Sequence, residues 1–159
     1  MIKTLQDAIC QQLRQALPGV VVAFCPRLEE DIPHLPLLAL EIAEFEPGDD
    51  AGTHQLALCP VLQARLVLDP TQPEAEADMP HMAARVALEI HRATNFGLPV
   101  TPARIRQIGP DDFKPQLDGY LVWLIEWVHQ LDAGMEADLT LSQAEQDWMF
   151  SPQGAGDAL

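Results

Sequence analysis

The sequence predicts an α+β domain in which two main helices pack on an antiparallel or mixed β-sheet that contains a long hairpin. Two segments, 2–17 and 78–94, repeat apolar residues at three- and four-residue steps, as helices with one buried face do. Two others, 37–46 and 56–68, alternate apolar and polar residues, as half-covered strands do. The turn cluster PGDDAGT lies between these strands and predicts that they form the hairpin.

The first helix and the first strand meet at a tight turn. The apolar stripe of 2–17 ends at Pro18-Gly19, a pair that stops a helix. The next residues, 20–24, are mostly β-branched and are therefore predicted as a strand. The stripe of the helix consists of Ile2, Leu5, Ile9, Leu13 and Leu17.

The longer hairpin strand places its leucines on one face. Along 56–68 these leucines alternate with Gln63 and Arg65, which point to the other face. Pro60 has no N–H to donate and therefore predicts a bulge or a sheet edge within this strand. The hairpin tip is acidic, with carboxylates at Glu44, Glu46, Asp49 and Asp50.

A second helix and a short strand follow the hairpin. Asp78 is the candidate N-cap of the helix 78–94, and Pro80 fits its first turn. Within 102–110, Ile105 alternates with two arginines, which predicts a short strand.

The segment 119–134, GYLVWLIEWVHQLDAG, predicts the last strand. Its leucines also fit a helical stripe, but its tyrosine, valines and tryptophans favour a strand. Both faces of this strand are mostly apolar. One carries Leu121, Trp123, Ile125, Trp127 and Leu131, and the other carries Tyr120, Val122, Leu124, Glu126 and Val128.

Two apolar faces need cover on both sides of the strand. We expect Trp123 and Trp127 to pack against the helices, and the opposite face to meet a second subunit. The predicted interface residues on that opposite face are Tyr120, Val122, Leu124 and Val128.

The chain divides into one domain and an extension. Residues 1–134 are predicted as a single α+β domain, and 135–159 as a C-terminal extension with a short helix and a flexible end. The spacing of serine and glutamate in SQAE predicts the start of that helix. Trp148 and Phe150 follow it, and they either anchor the chain on a partner or pack onto their own domain.

Composition and charge argue against two classes of function. The chain has 24 acidic and nine basic residues and a net charge of −15, so it would repel the phosphates that a nucleic-acid binder contacts. The longest apolar run, 120–125, is far below the ~20 residues of a membrane span, and no signal peptide is recognisable. The three cysteines form no disulfide framework and are expected as small buried side chains; they are Cys10, Cys25 and Cys59.

Motifs of catalytic, cofactor and metal sites are missing from the sequence. It lacks HExxH, GxSxG, GxGxxG and the P-loop. The five histidines follow no metal-binding spacing and are expected to be structural. We therefore expect no enzyme, no cofactor and no bound metal.

The carboxylates are numerous enough to form pairs by chance. EED after the first strand and the pairs 49–50 and 111–112 are all expected to be solvated loops. Glu126 differs, because a carboxylate among tryptophans needs a partner unless it is a functional acid. Candidate partners on neighbouring strands are Arg65, Arg104 and Arg106.

Two segments carry a resemblance to a known family. MIKTLQDAICQQLRQALPGVVV resembles the N-terminus of bacteriophage tail terminator and tail completion proteins, in which a short helix and a Pro-Gly or Pro-Asp turn lead into the first strand. PDDFKPQLDGYLVWLIEWVHQLDAG resembles their last strand, an aromatic alternating segment followed by glycine. The order of elements over 1–134 is also similar, and 135–159 has no counterpart.

The resemblance implies a structural virion protein. Six copies would form a ring that caps the tail tube, ends tail polymerisation and joins the tail to the head. Its partners would be other copies, the tail tube protein, head-completion proteins and, in a contractile tail, the sheath. DNA would pass through without specific binding, and no membrane is involved. The particle would be a phage or phage-derived tail assembled in the bacterial cytoplasm, and Glu44, Glu46, Asp49 and Asp50 would face the lumen.

Two alternatives stay open at this point. The chain is another head–tail connector or baseplate part, or it is a small pocket-type enzyme or ligand-binding domain. In the last case the aromatic strand would form a wall of the pocket.

Overall fold

The structure has the predicted α+β architecture, with two α-helices and a mixed six-stranded sheet. It is a computed structural model that describes residues 1–28, 34–112 and 114–134. The helices are α1 (Ile2–Ala16) and α2 (Ala75–Ala93), and a 3₁₀ turn spans Pro115–Leu117. The strands are β1 (Val21–Phe24), β2 (Leu37–Pro47), β3 (Leu56–Leu68), β4 (Arg104–Pro110), β5 (Leu121–Val128) and β6 (Leu131–Ala133).

Strand β3 is the centre of an open sheet. The strand order is β1-β2-β3-β5-β4, with β6 pairing with the first residues of β3 and β5 with the rest. Strand β1 is parallel to β2, and the other pairs are antiparallel. The predicted hairpin is confirmed, since Leu38 lies opposite Leu66 and Pro47 opposite Leu58.

Both helices pack on one face of this sheet and build the main core. Leu5, Ile9 and Leu13 of α1 are fully buried there, as their spacing on one helix face predicts. The helical alternative for the last segment is wrong, because residues 121–128 form β5. Trp127 is fully buried and Trp123 packs against the same core, so both tryptophans face the helices as expected.

Helix α2 begins earlier than its sequence pattern suggested. It starts at Ala75, and Glu74 occupies the N-cap position without a side-chain cap, so the prediction that Asp78 is the N-cap is wrong. Asp78 instead lies in the first turn, where a negative charge interacts favourably with the helix dipole. Pro80 lies further inside the helix, where it removes one backbone hydrogen bond.

The last strand is interrupted where β3 carries its proline. Strand β5 pairs with β3 as far as Val61, and β6 resumes the pairing at Leu58. Pro60 lies in this gap, opposite Phe45 of β2. The proline therefore marks a break in the ladder on one side of a central strand, not a sheet edge. The register of the hairpin shifts in β2, between Ile42 and Glu44, and a second shift lies in β4, between Ile105 and Gln107.

His129 lies in this break and is almost completely buried, at 1% exposure. Its Nδ1 lies 2.7 Å from the carbonyl oxygen of Thr101, and Trp127 Nε1 donates to its Nε2 over 3.1 Å. A neutral ring that donates from Nδ1 and accepts at Nε2 satisfies both contacts. Burial lowers the pKa of His129, which is consistent with this neutral form.

We predict that His129 makes stability depend on pH in the weakly acidic range. Since its folded pKa is lowered, its contribution is complete above the unfolded pKa of ~6.5 and is lost as pH falls from there toward the folded pKa. His129→Gln should reduce the free energy of unfolding at neutral pH by roughly 1–3 kcal/mol. On acidification, the free energy of unfolding of this variant should decrease less than that of the wild type. Urea unfolding at several pH values measures both effects.

The matched control is His81→Gln, since His81 is exposed on α2. It should keep the pH dependence of the wild type. Equal pH slopes for His129→Gln and the wild type would contradict the assignment.

Candidate functional site: the open face of the sheet

The face of the sheet opposite α1 and α2 is the candidate site, and we call it the open face. Alternation along β2, β3 and β5 assigns its residues, because their neighbours in sequence belong to the main core. They are Leu37, Ala39 and Glu41 of β2, Val61, Gln63, Arg65 and Val67 of β3, and Val122, Leu124, Glu126 and Val128 of β5.

One end of the open face is covered by the chain itself. Leu117 of the 3₁₀ turn is 3% exposed and packs in a small cluster with Leu37, Ala39 and Val67. Val122 is partly buried against the same cluster. The connection between β4 and β5 therefore lies over this end of the sheet and forms a second, minor core.

Arg65 is the most strongly constrained polar residue of the open face. It is 6% exposed, and its guanidinium donates to three acceptors. Nε bonds Asp111 Oδ2 at 2.6 Å, Nη1 bonds Glu41 Oε1 at 2.5 Å, and Nη2 bonds Gln63 Oε1 at 3.0 Å. Lys114 adds a cation 3.3 Å from Glu41. A buried arginine requires such pairing, because desolvating an unpaired charge is costly.

Asp111 corrects the expectation of a solvated loop at 111–112. It is 5% exposed, and its N–H donates to the carbonyl oxygen of Val122, which continues the β4–β5 pairing past Pro110. This backbone contact holds the Asp111 carboxylate within reach of Arg65. Asp112 is exposed, as expected for a solvated loop.

A second group of contacts extends the polar network across the sheet. Gln63 Nε2 donates to Glu126 Oε1 at 2.9 Å. Arg106 Nη1 donates to Glu46 Oε1 at 2.8 Å, and its Nε lies 3.9 Å from Glu126 Oε2. Glu46 raises the pKa of Arg106 through this contact. Of the partners considered for Glu126, Arg106 is therefore the one in contact, whereas Arg65 binds Glu41 and Asp111.

The predicted interface residues have different environments. Tyr120 is 36% exposed just before β5, whereas Leu124 and Val128 are 6% and 7% exposed within this one chain. Val122 is partly covered by the Leu117 cluster. That these residues lie in a subunit interface stays a prediction. Because so little of Leu124 and Val128 is exposed, a second subunit would contact only the small exposed part of each side chain. Trp148 and Phe150, with all of 135–159 and the EED segment, lie outside the described residues.

One carboxylate of the acidic hairpin tip forms an ion pair with the polar network of the open face. Glu44, Asp49 and Asp50 are exposed, whereas the ion pair with Arg106 draws Glu46 toward β4. Asp50 Oδ1 accepts the N–H of Gly52 at 2.8 Å and shapes the turn. The tip therefore offers three outward carboxylates, while Glu46 is shared with the network.

The cysteines match their expected burial only in part. Cys10 is buried, Cys59 is intermediate and Cys25 is exposed. Cys25 borders a cavity of about 480 Å³ that reaches Glu41 and Arg65. Among the described residues, no cluster of three or more histidine, cysteine and acidic side chains could hold a metal ion.

Comparisons of the chain with protein-family models and with curated proteins give no match. Within the part of the chain that the structure describes, no helix has both the length and the apolar character needed to cross a bilayer.

Alternation alone could have identified the open face, but no local signal identified Asp111 as part of it.

We predict that the buried Arg65–Asp111 pair is essential for stability. Both side chains are nearly inaccessible, at 7% and 2% exposure, so Asp111→Ala should lower the free energy of unfolding by about 3–5 kcal/mol. The double variant Arg65→Met, Asp111→Leu should lose less free energy of unfolding than Asp111→Ala, because it leaves neither member of the pair as an unpaired buried charge. Chemical denaturation measures each value.

The control removes a pair of the same kind at the surface. Arg85 bonds Glu89 at 3.0 Å with 57% of its side chain exposed, so Arg85→Ala should change stability by about 1 kcal/mol or less. If Asp111→Ala lost no more free energy of unfolding than Arg85→Ala, the buried Arg65–Asp111 pair would not be essential for stability.

Proposed function

We propose that this chain is a structural subunit of a phage or phage-derived tail. Six copies would form a ring that caps the tail tube, ends tail polymerisation and joins the tail to the head. The observation that carries the proposal is the difference between the two faces of the sheet: both helices pack on one face, and among the described residues the Leu117 cluster covers one end of the open face. The resemblance of residues 1–22 and 110–134 to tail terminator and tail completion proteins supplies the family.

The open face is suited to being covered by a second copy. Its buried charges already have partners inside the chain, as Arg65 does with Glu41 and Asp111. A neighbour that covers such a face does not have to supply a partner for each charge, so the desolvation penalty is smaller. Apolar edges of Leu124 and Val128 lie between these pairs and would contribute hydrophobic contact.

The acidic hairpin tip is suited to a channel through which DNA passes. Glu44, Asp49 and Asp50 are exposed at the end of the hairpin. In the proposed ring they would face the lumen, where negative charge weakens contact with phosphates. The other partners in this proposal are the tail tube protein and, in a contractile tail, the sheath, together with head-completion proteins. The particle would assemble in the host cytoplasm, and the protein would reside in the virion tail.

The first test is mass by light scattering, for the protein alone and with purified tail tubes. We expect either a hexamer or a monomer that binds only tube ends. Arg104 of β4 lies opposite Val128, at the edge of the open face. Arg104→Glu should weaken that association roughly fivefold or more, because it adds a negative charge to the proposed interface of an acidic chain. Arg92→Glu on α2 is the matched control and should have no effect, since Arg92 is exposed on the helix side. A monomer that ignores tubes would overturn the proposal and direct attention to the cavity beside Cys25.

The second test concerns the lumen. Replacing Glu44, Glu46, Asp49 and Asp50 by their amides should reduce DNA passage and infectivity while rings still assemble, because the uncharged tip would hold DNA more strongly. The control carries the same change in net charge elsewhere, at the exposed carboxylates of Asp7, Glu74, Glu76 and Asp118. Normal infectivity of the tip variant, with assembled rings, would refute the role of the tip.

A further inference from the structure

A second surface lies at the end of the sheet opposite the hairpin tip. There the last residue of β3, Leu68, pairs with Leu121, and the chain then turns into α2. A groove of about 670 Å³ opens between this turn, the start of α2 and Tyr120. We call it the β3–α2 groove. Its volume is in the range of about 300–1,000 Å³ that ligand-binding clefts occupy.

The floor of the β3–α2 groove is apolar. Leu35, Pro36, Leu68 and Met82 line it, and Tyr120 borders it with 36% of its surface exposed. Leu68 belongs to the main core, so the floor is held by the rigid part of the sheet. Leu35, Pro36 and Met82 are partly exposed, and apolar side chains that line a concave site favour the binding of a bulky apolar side chain.

The rim of the same groove is acidic. Asp69 and Asp78 line it, and none of the described lining residues is basic. Glu74 and Glu76 lie on the same short stretch, which has no lysine or arginine from 69 to 78. Hydrogen bonds from Thr71 lower the pKa of Asp69, so this carboxylate is charged near neutral pH. The helix dipole interacts favourably with the acids in the first turn of α2, and Asp69 accepts hydrogen bonds from Thr71 in the preceding turn. Asp69 and Asp78 nevertheless line the same groove.

We propose that the β3–α2 groove binds a basic, apolar segment of a partner protein. One bulky apolar side chain would rest on Leu68 and Met82, and flanking lysine or arginine side chains would face Asp69 and Asp78. The occupant is a different protein rather than this chain's own extension, because 135–159 contains no lysine or arginine and is itself acidic. The hairpin tip is excluded as an occupant for the same reason, since 47–56 has no lysine or arginine.

The test uses three synthetic peptides and backbone NMR of the full chain. The probes are acetyl-Lys-Leu-Leu-Lys-amide, its acidic counterpart with glutamates, and a polar counterpart with serines in place of the leucines. Only the first peptide should cause saturable changes in the backbone chemical shifts of Leu68, Met82 and Tyr120. The affinity of the protein for this peptide should fall with added salt. Shifts at other positions, or equal shifts with the serine peptide, would refute the proposal.

Two variants with matched controls separate the rim from the floor. Asp78→Asn should weaken binding about two- to fivefold, the effect of one exposed ion pair, whereas Glu76→Gln in the same turn should not. Tyr120→Ser should weaken binding more, whereas Leu88→Ser, an exposed position elsewhere on α2, should not. Unchanged binding by both groove variants would also refute it. Tyr120 is also a predicted residue of the subunit interface, whereas Asp78 lies on α2. The Asp78→Asn result therefore tests the groove independently of the proposed ring.

Discussion

Strand β3 must satisfy two different environments at the same time, and the rest of the structure depends on this. Leu62 and Leu66 point into the main core, and Gln63 and Arg65 between them point to the open face. Because side chains alternate along a strand, a slip by one residue would carry Arg65 into the apolar core. This penalty fixes the register of β3 with β2 and β5, and it determines which face the helices cover.

The burial of Arg65 then determines how the chain connects β4 to β5. Its acceptors come from three places, Glu41 on β2, Gln63 on β3 and Asp111 just after β4. Holding Asp111 over the sheet directs the following residues across the open face, where Leu117 covers Leu37 and Val67. A polar contact thereby positions an apolar one, and the Leu117 cluster forms a small core at one end of the open face.

The sequence pattern predicted most of the fold because burial repeats locally, and it failed where the deciding partner is distant. The stripe of α1, the hairpin and the two faces of β5 all follow from periodicity within a few residues. Asp111 looked like half of a solvated pair, since its partner is 46 residues away. Leu124 and Val128 were recognisable as open-face residues, but their low exposure within a single chain was not. Asp78 is a residue type that often caps helices, but α2 begins earlier, at Ala75, so Asp78 lies inside its first turn.

The distribution of charge separates the two proposed surfaces. Of the nine basic residues, four lie on or over the open face and its edge, namely Arg65, Arg104, Arg106 and Lys114. Three of these four, all but Arg104, contact carboxylates of the same chain. The open face thus carries charges of both signs in contact with one another, and in the proposed ring a second copy would meet less repulsion there than at the acidic tip. The described residues that line the β3–α2 groove include no basic side chain to compensate Asp69 and Asp78, so that surface favours a basic partner instead.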